Sequence, residues 1–191
     1  MVLSAEHSLE DNFALLELAK DGLKTSLVYT TGRAAGQGDD ILLDADKNPN
    51  TKGVQKLAPQ AKPFAELVKD VEAGKLTHVV ALGSATPADG AALARIKNLV
   101  ALSSHTGPIV GAAKVVLPAA SWAEAEGTFI NRNGLIQESE RAVTPRGDSR
   151  PAFRWVHELR LALDRPPAWK KLGELRAAMQ PASANLSGAR P

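Results

Sequence analysis

The 191-residue chain contains no cysteine. That removes disulfides, thiolate-ligated iron–sulfur clusters, cysteine zinc sites and cysteine nucleophiles together. It leaves the compartment open, because a cysteine-free chain is stable in either redox environment. Aromatic residues are scarce at 4%, too few for the stacking platforms of RNA or sugar binders. Charge of one sign is lacking as well: 23 basic residues stand against 21 acidic ones, a net of +2. No strong field favours nucleic acid or anionic lipid. No apolar run approaches the roughly 18 residues of a membrane helix. The opening Met1-Val2-Leu3-Ser4-Ala5-Glu6-His7 has neither the charged nor the apolar region of a leader. These absences predict a soluble, cytoplasmic chain with no nucleic-acid partner and no direct membrane insertion.

What is present is alanine, leucine and regular alternation. The length suits one domain with an appendage and a real core. Ser8 caps a predicted helix to about residue 21, in which Leu9, Phe13 and Leu16 stack on one face. Glu10 and Asp11 suit its first turn, and Gly22 its C-terminal stop. Residues 25–30 form a β-branched run and a predicted strand. A loop of about thirty residues, 31–62, follows; so long a loop suggests a contact surface. Then helix and strand alternate: helix 63–73 ended by Gly74, strand 77–82, helix 88–97, strand 99–103, a short helix at 108–113 and strand 114–117. Apolar strands joined by helical crossovers imply an open, mainly parallel α/β sheet of Rossmann type with helices on both faces.

Beside that sheet the sequence places a β-hairpin. Thr128-Phe129-Ile130 and Leu135-Ile136-Gln137 flank Asn131-Arg132-Asn133-Gly134, and Asn-Gly between β-prone runs predicts a type I′ turn. Residues 145–149 are a break. Helix 150–163 carries Phe153, Trp155, Val156, Leu159 and Leu163, and a last helix near 169–179 follows Pro166-Pro167. These side chains cover more than one helix face, so residues 150–179 are expected to form a docking surface for another subunit, against the plainer reading that both helices fold back and finish the core. The expected organisation is an α/β domain at 1–145, a helical appendage at 146–180 and a disordered tail at 181–191.

Four sequence blocks resemble one family. The block Val-Leu-Pro (116–118), Ala-Glu-Ala-Glu-Gly-Thr-Phe-Ile-Asn (123–131) and Gly-Leu-Ile-Gln (134–137) is similar to that of the molybdopterin oxidoreductase superfamily. Its closest form is in the C-terminal α/β domain of the G subunit of the NADH-quinone oxidoreductases (complex I). Leu135 stands where that block has arginine, which removes one basic contact. Ser8-Leu9-Glu10-Asp11-Asn12-Phe13-Ala14-Leu15 is similar to a helix opening the family's third domain. Gly38-Asp39-Asp40-Ile41-Leu42 and Asn48-Pro49-Asn50-Thr51-Lys52-Gly53 resemble the loop after its next strand. Together the matches cover residues 3–163 in the family's order.

Open α/β sheets bind ligands beyond the carboxyl ends of their strands. Three loops qualify: 32–40, Gly83-Ser84-Ala85-Thr86-Pro87 and Ser103-Ser104-His105-Thr106-Gly107. The resemblance puts the Gly83 turn where cofactor-binding members hold molybdopterin guanine dinucleotide, with Ala85-Thr86 replacing an asparagine. Gly83, Ser84, Thr86, His105 and Thr106 are therefore candidates for a vestigial nucleotide crevice, against the plainer reading of a tight turn capped by Ser84 or Thr86. Other patterns fall away. Asp44-Ala45-Asp46-Lys47-Asn48 begins like a calcium loop, but Pro49 and Gln55 occupy its glycine and glutamate positions. The glycines of 32–38 lack a Walker Lys-Ser/Thr, and Asp39-Asp40 would repel phosphate. Glu124 and Glu126 are too close in sequence for a glycosidase pair and are expected to hold backbone amides or arginines. The four histidines, His7, His78, His105 and His157, are read as far apart and none as paired with a carboxylate at helical spacing. Only His105 is singled out, and neither a catalytic nor a metal-ligating set emerges.

The resemblance implies a non-catalytic structural or docking subunit of a redox complex, without a cofactor of its own. Its partners would be the iron–sulfur subunits, which would keep it peripheral to the inner membrane. The alternative it implies is an enzyme part: one half of a molybdopterin-guanine-dinucleotide cradle of formate-dehydrogenase type, completed by a partner chain.

Overall fold

The computed structural model describes residues 1–39, 41–88 and 90–183. The chain opens on a strand absent from the expectation: β1, Val2–Ser4, three residues long. Helix α1, Leu9–Glu17, is capped by Ser8, whose Oγ accepts the Asp11 N–H at 3.1 Å. It ends in a π turn, Leu18–Gly22. The left-handed residue that releases it is Lys24 at φ 53, not Gly22. Strand β2 is Tyr29–Thr31, shorter than predicted.

The long loop is not structureless, since α2 occupies Thr51–Leu57 within it. Strand β3, Lys62–Pro63, runs straight into α3, Phe64–Glu72, and Gly74 at φ 71 ends that helix as expected. Strand β4, His78–Leu82, is followed by only a five-residue 3₁₀ turn, Ala91–Arg95, in place of the predicted full helix. Then come β5, Asn98–Ser103, α4, Pro108–Ala112, and β6, Val115–Pro118. The hairpin is β7, Gly127–Ile130, with β8, Ile136–Ser139. Helices α5, Ala152–Ala162, and α6, Leu172–Ser183, close the described chain. The tail expected over 181–191 lies outside the described residues from 184 onward.

Six strands form one parallel sheet in the order β3-β2-β1-β4-β5-β6, and the hairpin stands apart as an antiparallel pair. The α/β expectation is met. Side chains alternate across the sheet. Leu3, Leu82 and Leu102 face a core built with Phe13, Leu15, Phe153, Val156, Trp169 and Leu175. Val2, Ala81, Leu99 and Ala101 face a second core with Phe64, Leu67, Leu93 and Ile109. A parallel sheet needs both faces covered, and this one has α1, α5 and α6 on one side and α3 and α4 on the other.

Phe153, Val156, Trp169, Leu175 and Met179 are all buried in the first core. Trp169 meets Phe153 edge-on, with ring centroids 6.2 Å apart. The docking surface expected over 150–179 is therefore not what these side chains form: they fold back on the sheet, because its face would otherwise leave Leu3, Leu82 and Leu102 uncovered. Leu163, by contrast, stays in solvent.

The hairpin turn differs from expectation in type. Gly134 N–H donates to Asn131 O at 2.9 Å with Gly134 at φ 84, while Asn133 keeps a negative φ. Asn131 Oδ1 accepts the amides of Asn133 and Leu135, both at 3.0 Å. The chain makes an ordinary turn followed by one left-handed glycine, because the Asn131 side chain takes the Leu135 amide that a two-residue I′ turn would have paired and holds the Asn133 amide as well.

Candidate functional site

Strand order reverses between β1 and β4, so the carboxyl ends of these two strands open onto a crevice. The turn from β1 into α1 is held by Asn12, which is fully buried. Its Oδ1 accepts Ser4 N–H at 2.9 Å, and its Nδ2 donates to Ser4 O at 2.9 Å and Ser8 O at 2.8 Å. Asn50 supports the same turn from the other side. Its Nδ2 donates to His7 O at 2.8 Å and its Oδ1 accepts Ile130 N–H from the hairpin at 2.9 Å. A Cβ at Gly53 would stand 2.0 Å from Asn50 Oδ1, so the asparagine fits only over a glycine. Asn48 does similar work at the first loop, accepting Arg33 N–H at 2.7 Å.

Gly83 ends β4 at φ 76, and a Cβ there would be 2.8 Å from Ser4 Oγ, so two constraints select glycine. Thr31 Oγ1 donates to Ala85 O at 2.7 Å and fixes the turn against β2. Opposite stands the hairpin. Glu10 at the base of α1 accepts Thr128 N–H at 2.8 Å and the Thr128 hydroxyl at 2.7 Å, and receives Arg176 Nε at 2.7 Å. A Cβ on Gly127 would lie 2.6 Å from Ser8 Cβ, so the hairpin can approach the helix cap this closely only with glycine there.

Between these walls lies an open cleft of about 640 Å³. Of the residues singled out from sequence, Gly83, Ser84, His105 and Thr106 line it and Thr86 does not. The Thr86 hydroxyl donates instead to Ala88 O, two residues on, within its own turn. Ser84 is buried; its Oγ takes the Val110 N–H at 3.4 Å and its carbonyl the Ile109 N–H at 3.3 Å. His105 is exposed, with Nδ1 2.8 Å from Ser104 Oγ.

The lining also holds Arg33, from the first of the three loops expected to meet here, and Glu6, His7, Asp11, Trp122 and Glu126, none of which the sequence places there. One signal is available, and it corrects the expectation that no histidine pairs with a carboxylate at helical spacing: His7 and Asp11 are four apart, and His7 Nδ1 lies 3.5 Å from Asp11 Oδ2. Asp11 Oδ1 also accepts Phe153 N–H at 2.9 Å. Arg33 Nε is held by Glu6 Oε1 at 2.7 Å. Glu124, just behind the wall, accepts the Ser121 N–H and hydroxyl, both at 2.9 Å, and Arg146 N–H at 3.1 Å. The bonds from Ser121 are the main reason its carboxyl titrates below the ordinary range. The amide-holding role expected of Glu124 is met. Asp44 and Asp46 of the calcium-like stretch serve the chain locally: Asp44 pairs with Arg132 at 3.0 Å and Asp46 caps the Asn48 amide at 3.0 Å.

Chemically, the cleft has apolar walls and an acidic lining. Among the described residues of the lining, three carboxylates, Glu6, Asp11 and Glu126, are opposed by a single guanidinium, Arg33, which is engaged with one of them. Among the described residues, no helix is long and apolar enough to cross a membrane.

Comparison with known proteins agrees with the architecture. The molybdopterin oxidoreductase profile matches residues 21–160. The chain is 34% identical over 104 residues to the NADH-quinone oxidoreductase G subunit of Pseudomonas putida, covering 51% of this chain and 12% of that protein. It is 28% identical over 157 residues to the G subunit of Shewanella oneidensis, covering 74% of this chain and 17% of the relative. With the G subunit of Yersinia pestis it shares 30% over 110 residues, 51% of this chain and 12% of the relative. The chain thus spans less than a fifth of the length of these curated relatives. With a matched segment that runs from the π turn after α1 through most of α5, the chain belongs to the molybdopterin oxidoreductase family and is similar within it to the G subunits of NADH-quinone oxidoreductases.

Proposed function

We propose that this chain is a non-catalytic scaffold and docking domain of a multi-subunit redox complex of the NADH-quinone oxidoreductase type. Its partners are iron–sulfur subunits, and it bears no cofactor of its own. The observation that carries this reading is the lining of the switch-point cleft. A pyrophosphate-bearing pterin would need free donors and positive charge there. The Thr86 hydroxyl already donates to Ala88 O, Ser84 is buried with its Oγ on the Val110 amide, Ala85 offers no side-chain amide, and three carboxylates line the space. Like charge at such range opposes a phosphate anion. The residues do not fit the family's dinucleotide. With no cysteine in the chain, no thiolate-held cluster resides on it either. What the sequence does maintain is the frame itself, through buried Asn12, Asn50 and Glu10.

The test is purification of the native complex followed by metal analysis and peptide mass spectrometry. Iron–sulfur subunits are expected to co-purify, with molybdenum far below one atom per copy of this chain. Stoichiometric molybdenum, with guanine nucleotide released on denaturation, would replace this reading with the shared-cradle alternative.

A further inference from the structure

We propose that the switch-point cleft seats a basic peptide segment of a partner subunit, with an arginine or lysine crossing the face of Trp122 towards Glu126 and Glu6. The inference rests on the docking reading above and gives it a chemistry. Four observations converge on it. The volume, about 640 Å³, lies in the range of preformed ligand sites. Pro49, Ala120, Ala125 and Phe129 make much of the wall apolar, which suits the aliphatic stem of a long side chain. The fixed charges are three carboxylates against one engaged guanidinium, so the complement is a cation.

Fourth, the Trp122 ring lies at this cleft with 77% of its surface in water. Exposed indoles attract cations on their faces and are common anchors of interfaces. Glu126 is exposed and available. The cation that feels it through space is Arg176, but that guanidinium bonds Glu10 at 2.7 Å and Glu138 at 3.2 Å. The cleft is also preformed. Its hairpin wall is pinned to α1 by the buried Glu10–Thr128 bonds and to the start of α2 by the buried Asn50–Ile130 bond, so an incoming segment need not organise it.

The experiment titrates the full isotopically labelled chain, at low salt, with Ac-Leu-Arg-Leu-NH₂, its citrulline counterpart and its glutamate counterpart. Amide and indole NMR signals are followed. The arginine peptide is expected to shift the Trp122 indole and the Gly107 and Gly127 amides saturably. The citrulline peptide should bind about fivefold more weakly and the glutamate peptide more weakly still. Glu126→Gln should weaken the arginine peptide about as much while leaving the citrulline peptide unchanged; at an exposed position it should not disturb folding, which a parent-like melt checks. Absence of a saturable shift up to roughly 10 mM overturns the proposal. So does equal response to arginine and citrulline, or tighter binding of inorganic pyrophosphate than of the arginine peptide. A chain that joins its complex without molybdenum yet ignores the peptide sinks this inference and leaves the scaffold reading standing.

Discussion

Asn50 shows how a single side chain can make a site. It joins the β1–α1 turn to the hairpin through two buried hydrogen bonds, at 2.8 and 2.9 Å. Asn50→Ala would leave the His7 carbonyl and the Ile130 amide without these partners. The expected cost is about 2–4 kcal/mol, read from urea denaturation. Asp70 offers a test in pH. The Tyr29 hydroxyl, 2.7 Å away, and then Lys75 at 3.0 Å hold its carboxyl down to about 2 from an ordinary 3.8. A depressed carboxylate contributes stability above its unfolded value and loses it as pH falls from 3.8 through about 2. The stability gap between the parent and Tyr29→Phe should therefore be constant from about pH 5 to 8 and shrink below about pH 4. A gap that is flat down to about pH 2.5 would show that the phenol does not hold the acid. The same phenol is raised above its ordinary 10 by burial and by Asp70, so its own contribution persists below pH 10 and fades above it. Such roles leave little trace in the sequence. Glu10 reads as a helix-dipole partner, yet its carboxylate pairs with residues 118 and 166 positions further on. No local pattern encodes a partner so distant. The His7–Asp11 pair, at helical spacing, is of the local kind that a sequence does display.

At the scale of elements, legibility follows length and periodicity. β4, β5, α3 and α5 are apolar runs or amphipathic stripes, and their positions are evident. β1 is not, because Val2-Leu3-Ser4 is too short to show a period, although it is the strand at the switch point. The 3₁₀ turn replaces a predicted helix because Ala91-Ala92-Leu93-Ala94-Arg95 has helix-favouring composition but lies on a short crossover between β4 and β5. Tertiary spacing overrides propensity there. The site is half visible: its β4 and β5 loops follow from strand order, while Trp122 and Glu126 arrive from the hairpin side. The hairpin supports a direct test. Gly134 has φ 84 and nothing within 4 Å of a Cβ, so any penalty at this position is backbone strain alone. Gly134→Val should cost about 1–3 kcal/mol, and Gly134→Asn less, since asparagine tolerates the left-handed region. Thermal melts of the two variants would check both the size and the order.

For the whole molecule, α5 and α6 belong to the frame. Arg176 of α6 reaches the side chain of Glu10, which is 1% exposed, as well as Glu138 of the hairpin. Arg176→Met keeps the aliphatic stem but removes an ionic partner from a buried carboxylate. It should destabilise by about 2 kcal/mol in urea melts, more than an exposed ion pair would. Deleting residues 150–191 would uncover the core around Leu3, Phe13 and Leu82 that Phe153, Val156, Trp169 and Leu175 close. The shortened chain is expected to aggregate or to unfold. A soluble, folded remainder would instead return these helices to the role of a detachable docking surface.

The placement of β1 also imposes an order in time. Val2 lies beside Tyr29 on one edge and Ala81 on the other, and the carboxylate that follows on α1 meets Thr128 and then Arg176. A ribosome adding about 5–20 residues per second leaves the second edge of that strand open for roughly 4–16 s, and Glu10 without its guanidinium for roughly 8–33 s. Within residues 1–183 the middle strand of the sheet is thus made well before the partners that enclose it. Synthesis speed and early chaperone cover should therefore govern the yield of this chain more than its final stability does.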